Sequence, residues 1–169
     1  MSKLMKRLAG AAALCGMAGV AAPSNAATAT ANLGVSATVT SNCALTTTDI
    51  AFGNIDVTAN TNTDTTGGIS VTCTSGTAWD ASADAGAGTG ATLATRVMLN
   101  GTNTLNYALY TDSARSTVWG DGAGGSTALI SDTGTGTAQA KTIYARVPSG
   151  QTGVPAGAYA DTVGVTVTY

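Results

Sequence analysis

The sequence contains no histidine and no glutamate, and its nine acidic residues are all aspartate. General acid–base catalysis most often uses histidine or a carboxylate in a shaped pocket, and serine or cysteine nucleophiles need a base beside them. The aspartates are scattered among turn-forming residues and form no paired motif. These absences predict that the protein is not an enzyme and that it holds no cofactor.

Charge is scarce as well, since only 9% of the residues are charged. Three of the seven basic residues lie within the first seven positions, and without them four basic residues face nine aspartates, a net charge of about −5. Nucleic-acid binding needs a basic surface, and anionic lipid attracts polybasic segments. The sequence therefore predicts neither a nucleic-acid partner nor electrostatic binding to a membrane.

Residues 1–26 have the pattern of a secretory signal peptide. A basic start is followed by the weakly apolar run Leu8–Ala22 and by Ser-Asn-Ala, which predicts cleavage after Ala26. The alternative is a membrane anchor, but about fifteen apolar residues are short for a spanning helix. The mature chain is thus predicted to be exported and to begin at Ala27.

Cysteine is rare, with three in the whole chain, and Cys15 lies in the predicted leader. An exported protein that keeps two cysteines, here Cys43 and Cys73, is expected to join them in one disulfide. A metal pair or a redox pair is the alternative, but the chain has no Cys-x-x-Cys spacing and no histidine. The sequence predicts a Cys43–Cys73 disulfide and no metal site.

Threonine, glycine, alanine, valine and asparagine dominate what is present, and they favour strands and turns. No segment shows apolar residues at helical spacing, whereas many short stretches alternate between polar and apolar residues. This pattern predicts a single all-β domain, a β-sandwich. The alternating apolar residues are Ile50, Phe52, Ile55 and Val57; Ile69, Val71 and Cys73; Trp79, Ala81 and Ala83; Leu105, Tyr107 and Leu109; and Ile143, Ala145 and Val147.

Two further motifs have weak binding interpretations. Asp80–Gly86 places oxygen ligands at alternate positions, as a calcium loop does, but its glycine is one place late and the twelfth position is Ala91. Trp79 and Trp119 could form a carbohydrate platform, although core packing is the usual role of tryptophan in a small sandwich. A polar strand face and a packed core are the preferred interpretations, and sugar binding stays open.

Both ends of the mature chain have strand patterns. From Ala27 to Thr40 every odd-numbered residue is apolar and almost every even-numbered residue is polar, over roughly twice the usual strand length. The C-terminal stretch keeps Val163, Val165, Val167 and Tyr169 in step. The two features agree if the domain lacks one strand, which the next molecule would supply.

Four segments carry a family resemblance: "FGNIDV", "ISVTC", "LNYALYTDSARSTVWGDG" and "IYARVPSGQTGVPAGAYADTVGVTVTY". In this order, they resemble the spore coat protein U domain family, which includes major subunits of archaic, Csu-type chaperone–usher pili. The resemblance covers nearly all of the mature chain.

The resemblance implies an incomplete immunoglobulin-like β-sandwich that is completed by a donated N-terminal strand. It implies a signal peptide at 1–26, a donor extension at 27–41 and a pilin domain at 42–169. A periplasmic chaperone would first fill the groove, and at the outer-membrane usher the extension of the next subunit would replace it. The implied donor residues are Leu33, Val35, Ala37 and Val39, with Ala29 and Ala31 upstream, and the implied acceptor strand carries Val163, Val165, Val167 and Tyr169.

The implied function is that of a structural pilin in a head-to-tail polymer of identical or related subunits. Such a fibre would pass through the periplasm to the surface of a Gram-negative bacterium and promote adhesion or biofilm formation. The alternative is a secreted monomeric coat or adhesive protein, including one that binds carbohydrate, which holds residues 27–39 in its own groove.

Overall fold

The computed structural model describes residues 25–123 and 127–169, and it contains eight β-strands and no α-helix within them. Residues 25–37 and residues 38–169 belong to two separate units, and all eight strands belong to the second. The strands are β1 (Cys43–Thr48), β2 (Thr63–Cys73), β3 (Ala78–Ala83), β4 (Arg96–Asn100), β5 (Asn103–Tyr110), β6 (Ile130–Thr133), β7 (Gln139–Val147) and β8 (Val165–Thr168).

The strands form two antiparallel sheets, one with the order β1-β2-β7-β5-β4 and one with the order β6-β3-β8. Side chains from both sheets meet in one apolar core. The all-β sandwich that the sequence predicts is therefore confirmed.

Period-2 alternation decides which side chains enter this core. In β2, Ile69, Val71 and Cys73 are buried, whereas the residues between them are partly exposed. In β7, Ala145 and Val147 are buried in the same way. Burying the apolar face of each strand removes that surface from water, which is the main force that holds the two sheets together.

The strand predicted around Ile50, Phe52, Ile55 and Val57 is wrong, because no strand lies between Thr48 and Thr63. The chain turns at Gly53, where φ is +68°. The alternation still has a consequence, since Ile50, Phe52 and Ile55 are partly buried against the core. These residues form a packed loop because no sheet edge pairs with their backbone.

The strand predicted over Ala27–Thr40 is also absent, since residues 25–42 form no strand and each of them is exposed. A strand gains its hydrogen bonds only by pairing with another strand, so the alternating pattern alone does not form one here. The predicted leader lies outside the described residues, apart from its last two positions, and its cleavage stays a prediction. Among the described residues, no helix has the length and apolarity to cross a membrane.

Candidate functional site

Among the described residues, strands β1 and β8 each lie at the edge of a sheet, with a neighbour on one side only. β1 pairs with β2, and β8 pairs with β3. Such an edge presents backbone N–H and C=O groups that another strand can bond.

The register of β8 shows which of its backbone groups face the open side. The Asp84 N–H donates to the Gly164 carbonyl oxygen at 3.0 Å, and Ala83 lies opposite Val165. Bonded and non-bonded pairs alternate along antiparallel strands. The N–H and C=O groups of Val165, and those of Val163 and Val167 by the same alternation, therefore point away from β3.

An open groove of about 520 Å³ lies beside this edge. One wall is formed by the end of β1 and the residues that follow it, and the other by residues 159–165, which lead into β8. Core side chains form its floor. Its apolar lining includes Ile50, Phe52, Ile69, Met98, Leu109, Trp119, Ile143, Val163 and Val165.

A second cavity, of about 710 Å³, shares four lining residues with this groove and so continues it. The shared residues are Ile50, Phe52, Met98 and Tyr159. The second cavity lies between the loop at 50–57 and the segment at 154–159. An apolar channel bounded by an unpaired strand edge suits an extended peptide with alternating apolar side chains.

The predicted acceptor residues lie at different depths. Val163 and Val165 line the groove, and Val167 is partly buried against the core. Tyr169 is 56% exposed and is not among the residues that line either cavity.

The predicted donor side chains are exposed. Leu33 and Val35 are each 88% exposed and Val39 is 84% exposed, so one short segment presents several large apolar side chains to solvent. Ala29, Ala31 and Ala37 are exposed as well.

The extension is firmly anchored where it enters the domain. Cys43 and Cys73 form the predicted disulfide, which joins the first residue of β1 to the last residue of β2. Next to it, Thr74 donates its N–H to the Asn42 carbonyl oxygen at 3.0 Å and accepts the Asn42 N–H on its hydroxyl at 3.2 Å. The Thr77 hydroxyl donates to the Ser41 hydroxyl at 3.3 Å. Residues 41–43 are therefore fixed to the turn that follows β2.

One wall of the groove depends on a polar cluster that the sequence did not predict. The Tyr107 hydroxyl donates to an Asp161 carboxylate oxygen at 2.7 Å. Burial raises the pKa of Tyr107, and the hydrogen bond to Asp161 raises it further. Nearby, Arg96 is fully buried, and burial lowers its pKa. Sequence spacing offered no signal for this cluster, because Asp161 is far in the chain from Arg96 and Tyr107, which face each other on β4 and β5.

The residues for which the sequence suggested ligand binding instead form contacts within the fold. Trp79 and Trp119 are each 2% exposed, so neither offers a ring face to a sugar, and the platform interpretation is wrong. The Trp119 indole N–H donates to the Ala81 carbonyl oxygen. In the stretch that only weakly resembled a calcium loop, Asp84 accepts the N–H groups of Gly86 and Gly164. No group of metal-binding side chains is found among the described residues.

A family model for the Spore Coat Protein U domain matches residues 29–166, most of the 169-residue chain. The chain belongs to the Spore Coat Protein U domain family. The family predicted from the four sequence segments is thus confirmed. In this family member, the match includes the exposed extension from residue 29 onward as well as the groove. No curated protein matches the chain at a significant level.

A solved structure resembles this Spore Coat Protein U domain. It is the crystal structure of the CsuC–CsuE chaperone–tip adhesion subunit pre-assembly complex from archaic chaperone–usher Csu pili of Acinetobacter baumannii. The TM-score is 0.54 at 23% identity, and the match covers 78% of this chain and 40% of that one. The chain thus spans well under half of the protein it matches. The likeness supports the immunoglobulin-like sandwich predicted from the sequence.

Proposed function

We propose that the chain is a structural subunit of a chaperone–usher fimbria and that it polymerises by donor-strand exchange. The exposed extension of one copy would fill the groove of the next. One observation carries the proposal: the same chain has an apolar groove at an unpaired strand edge and an exposed segment with the alternation that such a groove requires.

Burial of apolar surface would drive the exchange. Moving Leu33, Val35 and Val39 from water into a groove contributes roughly 1.5–3 kcal/mol each, and the alanines contribute less. Backbone bonds to the open side of β8 would add affinity, while the spacing of the apolar side chains would fix the register.

Contacts at the base of the extension favour another copy's groove over its own. To fold back beside β1, the chain would need a tight turn at residues 40–42. These residues are instead engaged by Thr74 and Thr77. A segment anchored in this way suits a contact with a neighbour, and a head-to-tail contact that does not close produces a filament.

The remaining parts of the proposal concern partners and location. Before assembly the groove would be filled by a periplasmic chaperone, which fits the similar fold found in a chaperone–subunit complex. An outer-membrane usher would then exchange the chaperone for the next subunit, and the fibre would lie on the surface of a Gram-negative bacterium. Its role would be mechanical and adhesive, with biofilm formation as the expected outcome, and it would involve no catalysis.

A matched pair of substitutions tests this function. Leu33→Asp places a carboxylate on the apolar side of the extension, where burial without a partner is costly. Ser36→Asp adds the same charge on the polar side and serves as the control. In cells that also express the chaperone and usher, we expect Leu33→Asp to abolish fibres in electron micrographs and Ser36→Asp to retain them.

A pull-down of the periplasmic complex separates the two functions under consideration. If the extension is used only by a neighbour, Leu33→Asp should remain soluble and bound to the chaperone. Normal fibres from Leu33→Asp would contradict the proposal. Loss of the chaperone complex along with the fibres would favour a self-complemented protein, whose extension belongs to its own core.

A further inference from the structure

We propose that Tyr107 and Asp161 form a strut that holds one wall of the groove at a fixed distance from its floor, which makes Asp161 a positioning residue for strand capture. This inference rests on the proposed function, because it assigns a role to residues in the same groove. Neither residue is a predicted donor or acceptor residue.

The strut joins the floor of the groove to one of its walls. Tyr107 lies on β5 in the five-stranded sheet, and Asp161 lies in the segment that leads into β8 in the other sheet. Both residues line the groove, and the hydroxyl-to-carboxylate hydrogen bond between them is 2.7 Å long. A hydrogen bond to a charged acceptor is stronger than one between neutral groups.

The carboxylate end of the strut is held from a second direction. The other Asp161 oxygen accepts the Ala87 N–H and the Thr162 N–H, each at 2.8 Å. Gly86 makes this approach possible, because a Cβ at that position would overlap the Asp161 carboxylate. The carboxylate therefore has fixed partners on the loop after β3 and on its own segment, as well as on Tyr107.

Buried Arg96 supports the same wall. Its guanidinium donates to the carbonyl oxygens of Asp84, Leu93 and Trp119, each at 2.9 Å. The negative charges of Asp84 and Asp161 stabilise its positive charge. The Arg96 side chain thus links the loop after β3, the residues just before β4 and the groove floor at Trp119.

A fixed width matters because a strand fits only a narrow range of spacings. Paired strands lie about 4.7–4.9 Å apart, so a groove that narrows excludes the incoming backbone. Closure of an empty groove would bury the apolar side chains of its floor and of Val163 and Val165, which lowers the free energy. The hydrogen bond from Tyr107 to Asp161 holds one wall to the floor and so opposes this closure, and the groove is then ready for a strand before one arrives.

The test compares two tyrosines in the full mature chain. Tyr107→Phe removes only the hydroxyl of the strut. Tyr144→Phe makes the same change on β7, where the hydroxyl forms no hydrogen bond within the described residues. The probe is a fluorescent peptide with the sequence of residues 27–39, and the readout is its association rate. We expect Tyr107→Phe to slow capture at least tenfold and Tyr144→Phe to leave it unchanged.

Amide hydrogen exchange distinguishes positioning from general destabilisation. The amides of Ala87 and Thr162, which donate to Asp161, should exchange about tenfold faster in Tyr107→Phe, while the amides of β2 and β7 keep their rates. Faster exchange throughout the domain would overturn the positioning role, and so would wild-type capture by Tyr107→Phe. If the wild-type chain itself captures no peptide, the proposed function fails, whereas the exchange data still show whether the strut fixes the wall.

Discussion

The N-terminal extension and β8 carry the same sequence pattern and differ in their surroundings. Both alternate apolar residues with polar ones. In β8, Val165 and Val167 are partly buried because Ala83 and Ala81 of β3 lie opposite them. In the extension no strand forms, and Leu33 is 88% exposed. Alternation thus encodes a face that can be buried, but an available sheet edge decides whether it is buried.

Charge also separates the two regions. Residues 27–42 contain no charged side chain, whereas all nine aspartates lie in the domain that follows. Three ion pairs join charged residues of that domain. The extension therefore has no charged side chain with which to form an ion pair, while the domain has ion pairs among its contacts.

The largest expected effect is at the junction of the two regions, where the disulfide lies. Replacing Cys43 and Cys73 with serine should lower the free energy of unfolding of the domain by about 3–4 kcal/mol, because a loop of 30 residues is no longer closed in the unfolded chain. Urea denaturation of the mature chain measures this loss. The intact protein should be two hydrogens lighter than its reduced form, and two alkylatable thiols in the native protein would contradict the bond.

The same charge should destabilise the domain strongly and the extension hardly at all. Val165→Asp introduces a carboxylate at a partly buried core position and should destabilise the isolated chain by about 2–4 kcal/mol. Val35→Asp should change the free energy of unfolding by less than about 0.5 kcal/mol. Denaturation at a concentration where the chain is monomeric gives both values. Equal losses would show that the extension already belongs to the core of its own chain.

A smaller effect is expected at the base of the extension. Thr74→Val keeps the shape of the side chain but removes the hydroxyl that accepts the Asn42 N–H, so it should cost about 1 kcal/mol. The Asn42 amide should also exchange faster. Thr72→Val on β2 is the control, since the Thr72 hydroxyl has no hydrogen bond within the described residues. An unchanged Asn42 exchange rate in Thr74→Val would remove the argument that the base is fixed.

The smallest expected effect is a loss of folding stability at acid pH, and we expect it in the domain only. The hydrogen bond from Arg146, together with the charges of Arg115 and Arg146, holds the pKa of Asp64 below its usual value. Because this pKa is lower in the folded state, the ion pairs contribute stability above about pH 4, and the contribution is lost as pH falls through the folded-state pKa.

Asp64 is partly exposed, so the contribution should be about 1 kcal/mol or less. Asp64→Asn should flatten the fall in stability below pH 4, as measured by denaturation across pH. Asp49→Asn is the control, because Asp49 is exposed and forms no ion pair in the described part of the chain. Identical pH profiles for the wild-type and Asp64→Asn chains would contradict this role.

Local patterns predicted most of the fold, because the alternation of each strand is visible in consecutive residues. The inward faces of β2, β3, β5 and β7 were predicted from such runs and agree with the structure. The loop at 50–57 was mistaken for a strand because alternation records burial and does not record pairing. The correctly predicted strand faces and the mistaken strand at 50–57 both follow from the same period-2 alternation.

The groove was only partly predictable for a related reason. Val163 and Val165 were found because they lie in an alternating run that reaches the C-terminus. The polar contacts of Tyr107, Arg96 and Asp161 were not predicted, although Tyr107 was predicted to face the core, since these contacts join residues that lie well apart in the chain. Long-range polar contacts leave no periodic signal in a single sequence.

The central claim is that residues 27–39 of one copy occupy the groove of another, and a photo-crosslinker at position 33 tests it most directly. Unlabelled chains that carry benzoylphenylalanine in place of Leu33 are assembled with ¹⁵N-labelled chains that do not, then irradiated and digested. We predict crosslinks from the unlabelled residue 33 to ¹⁵N-labelled groove peptides that contain Ile69, Trp119 or Val163. Crosslinks confined to unlabelled peptides in chains that remain monomeric would contradict the claim.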